Sequence, residues 1–110
     1  FYPEDVKNCA TELANNKVNT NIMIDFSHGN SQKNHENQKK VCASVCEQIS
    51  SGDKNIIGVM IESHLKEGAQ KISDNLEYGK SITDACVHWD ETKQLLQELS
   101  SAVKARRESE

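Results

Sequence analysis

The chain has few apolar and aromatic side chains and no excess of positive charge. Of its 110 residues, 35% are hydrophobic and 5% aromatic, both low for a domain that must bury a core of its own. With 17 acidic against 13 basic residues, its net charge of -4 argues against a nucleic-acid-binding protein, since that class presents a basic face. No apolar run approaches the roughly 20 residues that span a bilayer, and no polybasic or acylation signal is present. We therefore expect no nucleic-acid or membrane partner.

Cysteine occurs four times, at Cys9, Cys42, Cys46 and Cys86, but not in the pattern of a disulfide framework. Cys42 and Cys46 are four residues apart and share one face of a predicted helix, where free thiols pack as small hydrophobic groups. We therefore expect reduced thiols and a cytoplasmic protein. The sequence starts at Phe1 without a signal-peptide pattern, and we expect it to be a piece of a longer chain.

Apolar spacing predicts an α/β chain in the order helix, strand, helix, strand, loop, helix. Pro3 and the two acids after it begin the first helix, which ends near Asn15 and Asn16. The other predicted elements are a strand at Ile22–Phe26, a turn at Ser27–Asn30, a helix at Gln32–Ser50, a strand at Ile56–Ile61, a polar loop at Ser63–Ser81 and a helix at Asp90–Arg106.

The helices are predicted to bury one apolar stripe each, and the second strand both of its faces. Ile56–Ile61 is an almost unbroken apolar run, which is typical of strands in parallel sheets. Two parallel strands cannot bury both faces alone, so this segment needs further sheet from elsewhere. The predicted stripes are Val6, Cys9, Ala10 and Leu13 in the first helix, Val41, Cys42, Val45 and Ile49 in the second, and Leu95, Leu96, Leu99, Ala102 and Val103 in the last.

Both predicted strands end near side chains of the kind that bind metals. His28 follows the first strand by two residues, and Glu62 directly ends the second. A third candidate, Asp84, lies in the loop before the last helix. In α/β barrels the active site is at the carboxyl ends of the strands, where these side chains meet. Imidazole with carboxylates suits manganese, iron, cobalt or zinc better than calcium, so the sequence predicts a divalent-metal site.

Each of these residues also has a structural explanation. A lone histidine such as His28 can be an ordinary hydrogen-bonded group. Glu62, at the end of a buried strand, must be paired, protonated or metal-bound, because an isolated buried charge is too costly. Asp84 can cap a helix or hydrogen-bond within its loop. Spacing alone leaves the structural and the metal-binding interpretations open.

Other candidates are explained more simply. Gly79, Lys80 and Ser81 look like the end of a phosphate-binding loop, but Asp74 stands where that motif needs glycine, and no strand precedes it. His64 could join a metal site, but a strand-spaced neighbour of Glu62 or a position on the loop surface explains it better. We expect His35 and His88 to be surface or loop residues, and Tyr78 and Trp89 to be packing groups beside the loop.

Four longer segments carry a family resemblance: IMIDFSHGNSQKN, VCEQISSGDKNIIGVMIESHLKEGAQ, LEYGKSITDAC and AVKARRE. They closely resemble the carboxyl-terminal part of the class I 3-deoxy-D-arabino-heptulosonate 7-phosphate (DAHP) synthases, which are inhibited by single aromatic amino acids. The resemblance covers nearly the whole chain. It implies that residues 1–110 are the C-terminal segment of one (β/α)8 TIM barrel, about two and a half βα units containing strands seven and eight. The N-terminal part of the barrel would lie outside this chain.

The resemblance also implies a ligand set. In the family, the histidine of DFSH, the glutamate of VMxES and the aspartate of SITDA coordinate an essential divalent metal, and these positions are His28, Glu62 and Asp84 here. The family's fourth ligand is a cysteine on an early strand, and no cysteine of this chain takes that place; Cys86 is near the site but is not that ligand. The family's arginine and lysine cradle for two phosphates and most of its inhibitor site are also missing.

The implied reaction condenses phosphoenolpyruvate with erythrose 4-phosphate, the first step of the shikimate pathway to aromatic amino acids. The metal acts as a Lewis acid on the aldehyde oxygen, the enol carbon attacks the aldehyde carbon, water adds, and phosphate leaves. By resemblance, His28 is catalytic and contacts phosphoenolpyruvate or assists proton transfer, and Asp84 binds a sugar hydroxyl.

The same resemblance implies that the parent enzyme is a homodimer or homotetramer and that these 110 residues alone are inactive. The alternative is a stand-alone, non-catalytic barrel relic that acts as a metal-binding or oligomerising module.

Overall fold

Two parallel strands and three long helices form the chain in the computed structural model, which describes residues 1–110. The predicted element order and the α/β class are confirmed. In chain order the elements are α1 (Pro3–Asn15), β1 (Ile22–Asp25), the short helix α2 (His28–Ser31), a 3-10 turn (His35–Asn37), α3 (Gln38–Ser50), β2 (Ile56–Met60) and α4 (Trp89–Glu108).

The sheet consists of β1 and β2 alone. Ile24 lies opposite Val59 and Asp25 opposite Met60, so both strands run in the same direction and end at the same edge. The amide of Phe26 donates to the carbonyl of Met60 at 2.9 Å, which extends the pairing one residue past β1. No further strand of this chain joins either edge, so the outer backbone groups of both strands have no strand partner.

Helices α3 and α4 cover part of the strand surface and leave the rest bare. Ile24 and Ile56 are buried, but Met23 and Ile57 are 64% and 62% exposed. The expectation that β2 is buried on both faces is therefore wrong for this chain, because nothing in it covers the other side. The core contains Val6, Ile24, Phe26, Val41, Cys42, Val45, Ile49, Ile56, Val87, Leu95, Leu99 and Ala102.

The chain has the shape of a slab. Its radius of gyration is 15.9 Å and its extents are 51 × 31 × 18 Å. A compact domain of this length would have a radius of gyration of about 13 Å. The thin dimension follows from the architecture, in which a two-stranded sheet carries a layer of helices with no second layer behind it.

The predicted helix Gln32–Ser50 begins later than the sequence suggests. Gln32 and Lys33 have left-handed backbone conformations, with φ of 55° and 60°, so no α-helix can pass through them. The predicted turn at Ser27–Asn30 instead contains the start of α2, and α3 begins only at Gln38.

Two of the predicted stripes also need correction. In α1 only Val6 is buried, because the rest of this helix meets no other element closely, and Cys9 is exposed. In α4 the buried side is formed by Leu95, Leu99 and Ala102, while Leu96 is 51% exposed on the outer side. The stripe predicted for α3 is confirmed.

A single arginine fixes the end of α4 against the start of β2. The guanidinium of Arg106 donates from Nη1 to the carbonyls of Asp53 and Ile56, at 2.7 and 2.9 Å. This contact joins the last turn of α4 to the amino end of the strand that leads to Glu62.

All four cysteines are free thiols, as predicted. Cys42 is buried, and its Sγ lies 3.7 Å from Sγ of Cys46 on the same face of α3. None of the helices has the length and apolar character needed to cross a membrane.

The packing of α4 yields a matched pair of substitutions. Leu95→Ala removes a side chain that is 2% exposed, and we expect it to lower the free energy of unfolding by about 2–5 kcal/mol. Leu96→Ala, one residue away and outside the core, should change it by no more than about 0.5 kcal/mol. Urea denaturation followed by circular dichroism measures both, and equal losses would contradict this packing.

Candidate metal centre

His28 is the first residue of α2, three residues past the end of β1. Its φ of 51° is in the left-handed region, which costs a residue with a β-carbon roughly 1 kcal/mol. Neighbouring hydrogen bonds hold this conformation: Lys33 N donates to the carbonyl of His28 at 2.8 Å, and Ser31 Oγ donates to it at 3.1 Å. The strained backbone turns the imidazole toward the carboxyl end of the sheet.

Glu62 lies two residues past β2, as the chain leaves the sheet. Its carbonyl accepts from Val87 N at 3.0 Å, so the segment returning toward α4 runs beside it. Its side chain is 23% exposed. The carboxylate is therefore held at the same sheet edge as His28.

Asp84 is carried by the long loop between β2 and α4. The loop doubles back on itself through paired backbone bonds between Gly68 and Cys86, at 2.8 and 3.1 Å. A bond from Thr83 N to Ser81 Oγ, 3.1 Å long, forms the tight turn just before Asp84. These contacts bring a residue distant in sequence to the ends of both strands. Asp84 does not cap α4, since His88 is the cap, and that structural explanation is excluded.

The three predicted ligands converge. Nε2 of His28 lies 3.1 Å from Oε1 of Glu62 and 3.2 Å from Oδ2 of Asp84. One ligand atom from each residue lies within 4.8 Å of the other two. Ligand atoms bound side by side to one cation are about 3.0–3.4 Å apart, given metal–ligand distances of roughly 2.1 Å. The group therefore has the dimensions of part of a metal coordination shell.

Asp25, the last residue of β1, holds the other side of the imidazole. Its Oδ2 lies 2.7 Å from Nδ1 of His28, while its Oδ1 accepts from the amide and hydroxyl of Ser27. With Nδ1 donating to Asp25, the neutral ring presents the lone pair of Nε2 to Glu62 and Asp84. Metal-binding histidines are commonly oriented by such a carboxylate.

The electrostatics of the group follow from three carboxylates around one imidazole. The hydrogen bond to Asp25 raises the pKa of His28; desolvation opposes this shift, and the charge of Glu62 adds to it. Desolvation raises the pKa of Asp25, but the hydrogen bonds from Ser27 and His28 outweigh it, and the pKa lies below its ordinary value. The carboxylates thus favour a positive charge between Nε2 of His28 and the side chains of Glu62 and Asp84.

Cys86 lies beside this group but is not suited to join it. Burial raises the pKa of its thiol, and the charge of Glu62 raises it further. Its Sγ is directed at the carbonyl of Asp84, 3.6 Å away. No cysteine belongs to the convergent group.

The remaining candidates lie outside the group. His64 is on the loop surface, as predicted, whereas His35 is partly buried beside Glu67 and His88 caps α4. Lys80 pairs with Glu77, and the next helix begins only at Trp89, so no phosphate-binding loop is formed. The prediction that Tyr78 and Trp89 are packing groups is wrong for this chain, since they are 85% and 49% exposed.

Sequence reasoning missed two residues, Asp25 and Gln38. Asp25 was read as part of an apolar strand, although an acid three residues before His28 was a usable signal. Gln38, at the start of α3, is fully buried and bonds the backbone of Glu62. No sequence pattern marks that contact, because it joins residues 24 positions apart.

The fold and this group of side chains define a segment of an α/β protein that gathers potential metal ligands at the carboxyl ends of parallel strands. A model of the DAHP synthetase I family matches residues 1–97. The chain belongs to this family.

Curated relatives agree with the family match. The chain is 56% identical over 95 residues to the tyrosine-inhibited phospho-2-dehydro-3-deoxyheptonate aldolase of Schizosaccharomyces pombe, covering 81% of the chain and 26% of the relative. It is 59% identical over 88 residues to the Phe-sensitive enzyme of Escherichia coli K12, covering 78% and 25%. The Trp-sensitive enzyme of that strain is 43% identical over 108 residues, covering 96% of the chain and 31% of the relative.

A solved structure has the same fold. The phospho-2-dehydro-3-deoxyheptonate aldolase of Francisella tularensis SCHU S4 superposes with a TM-score of 0.92 at 46% identity, over 96% of this chain and 31% of that one. The chain thus spans about a quarter to a third of the proteins it matches.

The Asp25–His28 contact can be tested by titration. Asp25→Asn removes the interaction that raises the pKa of His28 most, so we expect the ring to lose its proton at lower pH in the metal-free protein. NMR of the imidazole protons follows the titration. Asp74→Asn, an exposed acid of the loop, is the control and should leave His28 unchanged. An unshifted His28 in Asp25→Asn would contradict the contact.

Proposed function

We propose that the chain is the C-terminal segment of a DAHP synthase and that His28, Glu62 and Asp84 hold its divalent metal. The observation that carries this proposal is the convergence of two carboxylate oxygens on Nε2 of His28, at 3.1 and 3.2 Å. Three hydrogen-bond acceptors do not gather in this way unless a proton or a metal ion lies among them. The family match supports a metal site at this position over a structural ion pair.

The donor set fits a first-row divalent metal. One imidazole nitrogen and two carboxylates suit manganese, iron, cobalt or zinc, and the mixed ligands suit calcium poorly. Asp25 supplies the carboxylate behind the histidine that such sites commonly have. When bound, the metal supplies Lewis acidity toward a carbonyl oxygen of the sugar phosphate.

The chain's own residues hold and orient the reactants in this proposal. Asp25 fixes the ring of His28 through Nδ1, so Nε2 keeps one direction toward the metal. With both ring nitrogens engaged, His28 contacts phosphoenolpyruvate through the carbon edge of the ring. Asp84 is 46% exposed against 23% for Glu62, which leaves it the better placed to accept a hydrogen bond from a hydroxyl of erythrose 4-phosphate. Glu62, the least exposed of the three ligands, serves the metal alone.

The proposed enzyme needs more chain than these 110 residues. The bare side of β1 and β2 and their unpaired edges suit the neighbours that a (β/α)8 barrel would supply, with these strands as its seventh and eighth. A fourth ligand and the groups that bind two phosphates would come from the same missing part. We propose that residues 1–110 belong to one barrel domain and do not catalyse the reaction alone.

One observation favours an alternative function. All three ligands lie within this chain, so a non-catalytic metal-binding module needs no further residues to form the group. The intact mass of the native protein distinguishes the two functions. A mass several times 12.3 kDa supports the synthase, and a mass of 12.3 kDa supports the module.

Ligand substitutions test the proposed site in the full-length protein. His28→Ala, Glu62→Gln and Asp84→Asn should each lower metal content. Loss of a residue that only orients a metal ligand commonly lowers activity roughly 10- to 100-fold. We expect loss of a ligand itself to reduce metal-dependent consumption of phosphoenolpyruvate by more than that. Metal analysis and the decay of phosphoenolpyruvate absorbance are the two measurements.

Glu77→Gln is the matched control for these variants. Glu77 is also a loop carboxylate with nearby cationic partners, Lys66 at 2.9 Å and Lys80 at 3.7 Å, but it lies outside the site. Its replacement should leave metal content and turnover unchanged. Normal metal content and rate in all three ligand variants would refute the assignment.

A further inference from the structure

We propose that Gln38 is a positioning residue for the metal centre, acting through the backbone of Glu62. This inference rests on the proposed function, because it assigns Gln38 a part in building the same site. Its hydrogen bonds go to the backbone of Glu62 and not to the side chain of a proposed ligand. It fixes the backbone from which the Glu62 carboxylate projects.

The carboxamide of Gln38 pairs with both polar groups of the Glu62 backbone. Nε2 of Gln38 donates to the carbonyl of Glu62 at 3.2 Å, and the amide of Glu62 donates to Oε1 at 3.3 Å. The opposite orientation of the carboxamide would place two acceptors and two donors against each other, so only this one satisfies both groups. Neighbouring strands make such hydrogen bonds between their backbones. Here the carboxamide of Gln38 takes the place of one backbone.

Glu62 needs such a partner because the sheet has already ended. Strand β2 stops at Met60, and β1 continues its pairing only to the amide of Phe26. Val87 donates to the carbonyl of Glu62, but the amide of Glu62 has Gln38 as its acceptor. Without Gln38 a partly buried amide would be left unpaired, at a cost that favours movement of the backbone.

The neighbour of Gln38 holds the other ligand-bearing segment. Nδ2 of Asn37 donates to the carbonyl of Ser31 at 2.9 Å, and Ser31 in turn donates from Oγ to the carbonyl of His28. Two consecutive residues at the start of α3 therefore brace the segments that carry His28 and Glu62. The start of α3 sets their separation.

Complete burial makes Gln38 suitable for this role. Its exposed fraction is 0%, whereas most glutamines are on protein surfaces. A buried carboxamide costs desolvation unless it is fully paired, and it then loses its freedom to change rotamer. The buried brace is therefore rigid, as a metal site with a fixed ligand geometry requires.

The test measures Mn²⁺ binding to the full-length protein carrying Gln38→Met, by the electron paramagnetic resonance signal of the free ion. This variant keeps the volume of the side chain and removes both hydrogen bonds. We expect the dissociation constant for Mn²⁺ to rise about 10- to 100-fold. Hydrogen exchange of the Glu62 amide should become faster in the same variant.

Gln48→Met is the matched control. Gln48 is a second buried glutamine of α3, and its Nε2 donates to the carbonyl of Phe1 at 2.8 Å and to Ser44 at 3.2 Å, away from the site. Both variants should lose thermal stability, but Gln48→Met should leave the Mn²⁺ dissociation constant within about twofold of the unmodified protein, since it supports no ligand. This difference separates positioning from a general effect on folding.

The outcomes distinguish this inference from the proposed function. If Gln38→Met binds Mn²⁺ as tightly as Gln48→Met while Glu62→Gln binds it poorly, the positioning role is overturned and the metal site stands. If Glu62→Gln also binds Mn²⁺ normally, the proposed site itself is overturned. Should Gln38→Met fail to fold, Gln38→Asn keeps a carboxamide but shortens the side chain by one methylene, so that it no longer reaches the backbone of Glu62. An unchanged dissociation constant in Gln38→Asn would likewise overturn the role.

Discussion

Carboxylate oxygens do not approach the lone pair of a neutral imidazole unless positive charge lies between them, and this constraint organises the carboxyl end of the sheet. Glu62 and Asp84 approach Nε2 of His28 to 3.1 and 3.2 Å, while Asp25 occupies Nδ1 on the opposite side of the ring. The three carboxylates repel one another, so the fold must hold them together until a cation or a proton balances their charge. The rest of the local structure serves this purpose.

Several elements share the task of holding the group. Parallel pairing ends β1 and β2 at one edge, a left-handed residue turns His28 toward that edge, and the returning loop brings Asp84 to it. The start of α3 then braces both ligand-bearing segments through Asn37 and Gln38. By contrast, the far side of the strands is bare, which agrees with a chain that spans about a quarter to a third of its relatives. The chain thus contains three converging candidate ligands, whereas its sheet lacks the neighbours that would cover it.

The sequence was sufficient to predict the element order, the parallel strands and the three convergent residues, because strand ends and residue chemistry are local properties. It did not predict where α3 begins. Gln32 and Lys33 have left-handed conformations, but neither is a glycine, which is the residue that usually marks such a position in a sequence. It also overestimated the packing of Leu96, because helical periodicity defines a face but not whether another element covers it. The brace from Gln38 to Glu62 joins distant residues and could only come from the structure.

The most direct test of the central claim is an anomalous difference map from crystals of the full-length protein soaked in MnCl₂. We expect one strong peak bound jointly by Nε2 of His28 and by the carboxylates of Glu62 and Asp84, at roughly 2.0–2.3 Å from each ligand atom. A strong manganese peak at other residues, with no metal bound by these three side chains, would contradict the account.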